Sequence, residues 1–300
     1  LELELQPFES GKNVIDEMQS ANWALAGVGA MPALTASLSN RLYIIGIGND
    51  ESATNAIYTR DGNDMLKMKG FNPNFPEVYG NPGSVRGKTF LVPKGTSAHY
   101  MLSRWLHVLG LRERDVKIVD MQPSEAMKAF NEGTGDAIAL WAPQTFEAEK
   151  LGLKTVAHSS DCNARQPILI IANAEYANKH KADIVAFLRV YLRSVEMMKS
   201  TPAEELADDY MRFYNAWTGK SMTREEAVRD IKDHPVYNLD EQLAMFKQSY
   251  GTSELREWLH DIVSFQNENG ELDRRELARL ERLHYVTDIY LKAVKNAAKK

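Results

Sequence analysis

Over the first 173 residues, short apolar runs of strand length alternate with stretches of helical periodicity. No other feature restricts the fold of this chain so strongly. "NWALAGVG", "RLYIIGIG", "ATNAIYTR", "KTFLVP", "VKIVDM", "DAIALWAP", "KTVAHSS" and "PILIIAN" read as strands. Between them "AMPALTASLS", residues 98–109, "PSEAMKAFNEG" and "QTFEAEKLG" read as helices, the first with proline in its opening turn, where proline is tolerated. That rhythm predicts an α/β chain with parallel sheets and helical crossovers. Near the start, Leu1, Leu3 and Leu5 alternate with glutamates as a short half-buried strand does, and "SGKNVIDEMQS" follows as a helix started at Ser10 and Gly11.

Residues 61–87 interrupt the rhythm with three prolines, five glycines and four asparagines, and so read as a long connection. From Ala174 onward the pattern is nearly all helical, with amphipathic helices over 253–268 and 273–298 split by "NENGELD". The expected organisation is two α/β lobes. Residues 86–171 form the second, inserted into a first lobe made of residues 1–85 and 172–300 with its helical tail. Two lobes joined by two crossovers make a cleft, where small ligands usually bind.

Composition narrows the function classes. The 300 residues carry a net charge of −5 with basic side chains spread along the chain, which argues against a nucleic-acid partner or an anionic membrane surface. The single cysteine, Cys162, excludes an internal disulfide and any CxxC motif. The seven histidines fall at 99, 107, 158, 180, 234, 260 and 284 without metal-ligand spacing, and the chain has no GxGxxG or Walker A motif, so neither a metal nor a cofactor is expected. No run reaches membrane-spanning length. The opening "LELELQPF" has neither an initiator methionine nor the features of a signal peptide, and reads as a processed or trimmed start.

Four strand-to-helix turns carry small or polar residues: Ser10-Gly11, the turn from Gly29 and Ala30 to Pro32, Gly95-Thr96-Ser97, and Gln122 to Ser124. In an open parallel sheet such turns gather at the carboxyl edge of the strands, where bare N–H groups at helix starts suit a small anion. Ordinary capping explains most of them. "GTS" offers two hydroxyls beside those amides, more than a cap requires, and His99 is the one histidine expected near it. Asn49, Asp50 and Glu51 are expected just after a strand on the same edge. A carboxylate there suits a ligand's ammonium group, and a solvated acidic loop explains it equally well. Trp141 reads either as a wall of the cleft or as core.

"VPKGTSAHYML", "VKIVDMQPSEAMKAF", "GDAIALWAP" and "ANAEYANKHKADIVAFLRVYL" resemble, in order and spacing, the periplasmic substrate-binding proteins of sulfonate, taurine and nitrate ABC importers. "FESGKNVIDEM" and "IGIGNDES" match the same family, and "HPVYNLDEQLA" with "GELDRRELARLERLHYVTDIYLKAV" resemble the tail of its taurine-type members. The resemblance implies a type II periplasmic-binding-protein fold that closes on a small anionic ligand and delivers it to a membrane permease. It implies a monomer that is periplasmic or lipid-anchored outside the cytoplasm, with no enzymatic activity. By motif match, Gly95, Thr96, Ser97 and His99 would hold the anionic head, and Gly29, Ala30, Asn49, Glu51, Gln122 and Trp141 would line the rest. Against this pattern the first lobe is expected to be without its first strand and helix, either because the given sequence is truncated or because the lobe is rebuilt. "WAP" stands where many relatives read "WDP", as in taurine-type members. Taurine, held through Asp50 or Glu51, and a plain sulfonate both fit. The alternatives are an enzyme on the same fold, such as a desulfinase or a thiamine-pyrimidine synthase, and a receptor's ligand-sensing domain.

Overall fold

The computed structural model describes residues 2–17, 23–38, 41–282 and 284–297. The first leucine of the N-terminal alternation, the later part of the first expected helix, the starting asparagine of "NWALAGVG", the last residue of "AMPALTASLS" and the end of the helix expected to reach 298 lie outside the described residues. The chain divides into unit 1, Leu1–Asp50 with Pro167–Lys300, and unit 2, Glu51–Gln166. Residues 51–85 therefore pack with the second unit, and 167–171 with the first, opposite to the sides their order in the chain suggested.

Unit 2 is built on a sheet of five strands in the order β5-β4-β6-β3-β7. They are β3 (Ala56–Thr59), β4 (Thr89–Val92), β5 (Lys117–Asp120), β6 (Ala137–Leu140) and β7 (Lys154–His158). β4 pairs parallel with β5 and β6, whereas β3 is antiparallel to both β6 and β7. The expected all-parallel sheet is thus mixed. Periodicity marks a strand but not its direction, and β3 is fed from outside the unit rather than by a helical crossover. Helix α4 (Ser97–Val108) lays Met101, Leu102, Trp105 and Leu106 against Phe90, Val92 and Ile57 on one face. On the other face α5 (Pro123–Asn131) sets Ala126 and Phe130 against Leu91, Ile138 and Leu140. The long connection is not empty loop. It buries Met65 and Val78, forms the short α3 (Pro82–Val85), and gives the Tyr79 carbonyl to the Trp105 indole N–H at 2.9 Å.

Unit 1 holds a three-stranded sheet, β1-β8-β2, from β1 (Leu25–Gly29), β2 (Leu42–Asp50) and β8 (Pro167–Asn173). β8 lies antiparallel between the other two. Residues 2–8 form no strand, and Leu3 and Leu5 are 52% and 58% exposed, so the N-terminal alternation does not become sheet. Alternation specifies which face is apolar, but a strand still needs a neighbour to accept its hydrogen bonds. α1 (Gly11–Asp16) and α2 (Ala30–Ser37) precede and follow β1.

The helical tail is structurally part of unit 1. It comprises α7 (Ala174–Lys179), α8 (Lys181–Ser200), α9 (Ala203–Thr218), α10 (Arg224–Asp233), α11 (Leu239–Phe246), α12 (Glu254–Glu268), α13 (Arg274–Glu281) and α14 (Ile289–Ala297). The expected second amphipathic helix is broken between α13 and α14, because Val286 there pairs in parallel with Ile44. The Ile44 N–H donates to the Tyr285 carbonyl at 2.8 Å, and the Thr287 N–H to the Ile44 carbonyl at 3.0 Å. The tail also repairs an irregularity in β2, whose register shifts between Ile44 and Gly46 and again between Ile47 and Asn49. Gln242 accepts from the Ile47 N–H at 2.9 Å and donates to the Ile47 carbonyl at 3.1 Å and the Tyr237 carbonyl at 2.9 Å. The Tyr191 hydroxyl donates to the Gly48 carbonyl at 2.6 Å. Gly46 makes room for this, since a Cβ there would stand 3.1 Å from Gln242 Oε1. Gln242→Leu strands a buried N–H and should lower stability by about 1–3 kcal/mol, read as a lower urea midpoint with an unchanged slope.

Candidate functional site

The parallel strands of unit 2 end almost level. Val92 sits beside Asp120, and Leu91 beside Ile138. Continuing that register places Lys94, Gln122 and Trp141 at one height on three neighbouring strands. Neighbouring strands lie about 4.8 Å apart, so these three strand ends fall within about 10 Å of one another along this edge, and α4, α5 and α6 (Gln144–Lys150) start just beyond them. β7 ends at the same edge with His158, and β3 begins there with Ala56, because Ala56 pairs with both Leu140 and His158.

The turn before α4 is shaped by Gly95 at φ +74°, a conformation that other residues adopt only with strain. No heavy atom lies within 4 Å of where a Cβ on Gly95 would stand, so the turn has open space over it. Thr96 is the N-cap residue, and its side chain makes no capping bond. Its hydroxyl donates instead to the Pro93 carbonyl at 2.6 Å, which closes the turn from within. Among the described residues, nothing accepts from the backbone N–H groups of Ser97 and Ala98, and the Ser97 hydroxyl has no partner. These amides stand at the positive end of a three-turn helix.

His99 braces the turn from below. It is 2% exposed, and its Nδ1 accepts from the Gly95 N–H at 3.3 Å, which leaves Nε2 to carry the proton toward Glu113 Oε1 at 2.9 Å. Ser103 donates to the same Glu113 oxygen. The sequence expectation had His99 touching the anion, but both of its ring nitrogens face protein groups. Gln166 holds the other side, donating from Nε2 to the Ser97 carbonyl at 2.9 Å and to Ser159 Oγ at 3.0 Å. Its own N–H donates to Ser52 Oγ at 3.0 Å, and its carbonyl accepts from the Glu51 N–H at 2.9 Å. Glu51 also takes a long bond from Asn55 Nδ2, at 3.4 Å.

Gln122 caps α5 without a side-chain bond, and its Oε1 is buried without a partner. Trp141 is half-buried, packed against the core that contains Trp105. Gln144, the first residue of α6, is 7% exposed, and its Oε1 likewise has no partner. In unit 1, Gly29 and Ala30 start α2 at the carboxyl end of β1, again with no side-chain cap. Asn49 and Asp50 lie inside β2 rather than after it, and the Asp50 N–H donates to the Pro235 carbonyl at 3.1 Å.

Capping follows the edge. α2, α4, α5 and α6, which start at the carboxyl ends of β1, β4, β5 and β6, all lack a side-chain cap bond. α7 starts at the end of the antiparallel β8, on the opposite edge, and is capped by Asn173. In the tail, α10 to α13 are capped by Thr223, Asn238, Ser253 and Asp273. α8, separated from α7 by His180 alone, and α9, which follows Pro202, also lack such caps, and neither directly follows a strand.

Sequence reasoning missed Gln144 and Gln166. Gln144 directly follows the turn proline and was readable as its continuation. Gln166 gave no local signal, because its partners Ser97 and Ser52 lie 69 and 114 residues away in the chain. Other chemistry is scarce here. Cys162 is fully buried, and its thiol is pushed up to about 12, chiefly by burial. Among the described residues no His, Cys, Asp and Glu group together in a way that holds a metal ion.

Residues 80–205 match the family described as NMT1/THI5 like. The chain is 29% identical over 237 residues to a protein of Brachyspira hyodysenteriae named as an ABC transporter periplasmic binding protein, with 78% of this chain and 67% of that one aligned. It is 26% identical over 205 residues to a Bacillus subtilis protein named as an aliphatic sulfonates-binding protein, covering 68% of this chain and only 57% of the relative. The fold matches the alkanesulfonate-binding protein SsuA of Xanthomonas axonopodis pv. citri, solved with MOPS bound. The TM-score is 0.67 at 17% identity, over 93% of this chain and 86% of that one. Residues 80–205 are thus similar to the NMT1/THI5-like family, and the fold of the chain is that of the solved alkanesulfonate-binding protein. The desulfurization enzyme DSZB shares this fold at lower similarity, with a TM-score of 0.60 to 0.63 and 13–14% identity.

The brace beneath the turn is testable through pH. Burial opposes ionisation of Glu113, but the hydrogen bonds from His99 and Ser103 outweigh it and hold the carboxyl below its ordinary value of 4.5. A carboxyl depressed on folding stabilises above its unfolded pKa, and that contribution is lost as pH falls through the folded value. Wild type should therefore exceed Glu113→Gln in urea stability near neutral pH, with the gap closing as pH falls below the ordinary value of 4.5 and through the lowered folded value. A gap that is constant with pH would show that the ionised carboxylate is not the stabilising form.

Proposed function

We propose that this chain is the solute-binding component of an ABC importer, working outside the cytoplasm and passing its ligand to a membrane permease. Its ligand is a small organic sulfonate, either taurine or an alkanesulfonate. The carrying observation is the start of α4, where the N-cap side chain makes no capping bond, nothing among the described residues accepts from the amides of Ser97 and Ala98, and the neighbouring Gly95 has open space at its Cβ position. A sulfonate stays anionic throughout the physiological pH range and offers three oxygens. Backbone N–H groups at a helix start meet it with charge-assisted hydrogen bonds and need no arginine. The names of the relatives support the same reading.

In this reading Gly95 shapes the cradle, Ser97 and the following amide bind the anion, and Thr96 and His99 hold the turn in place. Gln122 and Trp141 border the head group in unit 2. Gly29, Ala30, Asn49 and Glu51 remain proposed lining positions. No bond is made or broken. The enzymatic alternative on this fold needs a nucleophile, and the thiol of Cys162 is buried and held protonated, which favours binding. No described helix is long and apolar enough to cross a membrane.

One substitution separates the amide from the hydroxyl. Ser97 is the first residue of α4, where proline is accepted, and Thr96 before it is extended at φ −119° and ψ 175°, as a residue before proline prefers. Ser97→Pro should therefore fold while losing both the N–H and the hydroxyl. Ser97→Ala loses only the hydroxyl. Calorimetry against taurine and alkanesulfonates should show a few-fold loss for Ser97→Ala and a loss of about tenfold or more beyond that for Ser97→Pro. Equal affinities for Ser97→Ala and Ser97→Pro would remove the amide from the site.

A further inference from the structure

An anion at the start of α4 would sit above a largely buried negative charge. Glu113, in the short turn Glu113–Asp115, has a side chain 19% exposed, and its Oε1 lies 2.9 Å from His99 Nε2. Burial opposes its ionisation, but the bonds from His99 and Ser103 outweigh it and hold the carboxyl below 4.5, so it is charged at neutral pH. His99 does not neutralise it. The ring accepts from the Gly95 N–H through Nδ1 at 3.3 Å, and a ring that accepts there carries one proton only, on Nε2. The pair is therefore anionic overall, one imidazole ring away from the Gly95 amide. Other groups nearby leave that charge in place. Exposed Lys94 exerts the smallest of the attractions on Glu113, and Asp120, which accepts from the Lys94 N–H at 2.9 Å, adds another carboxylate. In Glu113's own turn, Arg86 and Arg114 act on Asp115. From the turn Ser160–Cys162, Asp161 is paired with His158 at 3.2 Å, and the Cys162 thiol stays protonated beside Arg104 of α4. β3 and β6 present Ile57, Ala137 and Ala139 to α4.

We propose that the His99–Glu113 pair is a proton-binding site coupled to anion capture, so that the guest binds most tightly when His99 holds a second proton. This rests on anion binding at the start of α4 and holds for any anion there. The added proton comes from solvent and goes to Nδ1. The pair then becomes neutral overall, which removes a repulsion that a site shielded from water does not screen. A protonated Nδ1 no longer accepts, so the Gly95 N–H is released. Gly95 has no heavy atom within 4 Å of its Cβ position, and its amide joins those of Ser97 and Ala98 as a donor to the guest. By reciprocity, an anion that favours the protonated pair draws a proton from solvent as it binds. Imidazole suits this task because its charge changes between about pH 5 and 8.

The test is calorimetry on the full chain with taurine and ethanesulfonate, whose charges stay constant between about pH 5.5 and 7.5, the window in which imidazole titrates. Wild-type affinity should rise about tenfold from the upper to the lower of these values. Midway between them, the binding heat should change with the ionisation enthalpy of the buffer (none of the buffers a sulfonate), because a proton is taken up. His99→Asn keeps an acceptor near the Nδ1 position without a titrating ring, and its affinity should not rise toward acid. Glu113→Gln removes the charge and should bind more tightly than wild type at the upper pH, whereas a residue that only braced the turn would weaken binding at both. Melting curves confirm that each variant is folded. A wild-type affinity that is flat or falls toward acid, with heats independent of buffer, overturns the inference. A rise toward acid that folded His99→Asn retains overturns it as well, and so does weaker binding by folded Glu113→Gln at both pH values. Binding of neither probe by folded wild type at any pH removes the sulfonate reading, and the inference with it.

Discussion

In unit 2, β5, β4 and β6 run parallel and end level, so the helices that follow them begin side by side on one edge. Every other feature of the site depends on that geometry. A lone helix start offers a partial positive charge that water screens and a neighbouring side chain readily satisfies. Several starts in one place, left without such side chains, offer directional donors to the same small region. In the proposed reading, such donors hold an anion without arginine or lysine, and the overall charge of the chain can remain negative.

Leaving a helix start bare costs stability, and the fold compensates nearby. Thr96 spends its hydroxyl on Pro93, His99 ties the Gly95 amide to Glu113, and Gln166 holds the Ser97 carbonyl. These bonds fix where the free amides point without consuming them. The rest of the chain shows the usual solution. In the tail, α10, α11 and α13 carry reciprocal capping boxes, with Thr223, Asn238 and Asp273 each answered by a glutamate three residues on. In the proposed reading the contrast between these helices and α4 is a difference in task, since helix propensity alone favours a cap in both places.

The tail repairs the small sheet of unit 1. β2 is irregular at two places, and an irregular strand leaves backbone groups that must be satisfied. Gln242 and Tyr191 reach back from α11 and α8 to meet Ile47 and Gly48, and residues 285–287 pair along Ile44. Residues far apart in sequence thereby complete one sheet.

The strands after Trp23, the helices between them and the turn at Gly95 to Ser97 were legible from the chain alone, because they rest on local physics: periodic apolar positions, a glycine where φ is positive, and small residues at helix starts. The direction of β3 and β8, and the unit to which residues 51–85 belong, were not, since either strand direction satisfies the same alternation. Asn49 and Asp50 looked like loop because polar side chains at a strand's end do not reveal that its backbone is still paired. His99 looked like a ligand contact because its neighbours were polar. Only the packing of α4 against the chain around Glu113 turned its ring inward, and only the return of the chain at Gln166 put a side chain on the Ser97 carbonyl. Local sequence sets what each segment is able to become, whereas partners 69 or 114 residues away depend on tertiary closure, which no short-range pattern encodes.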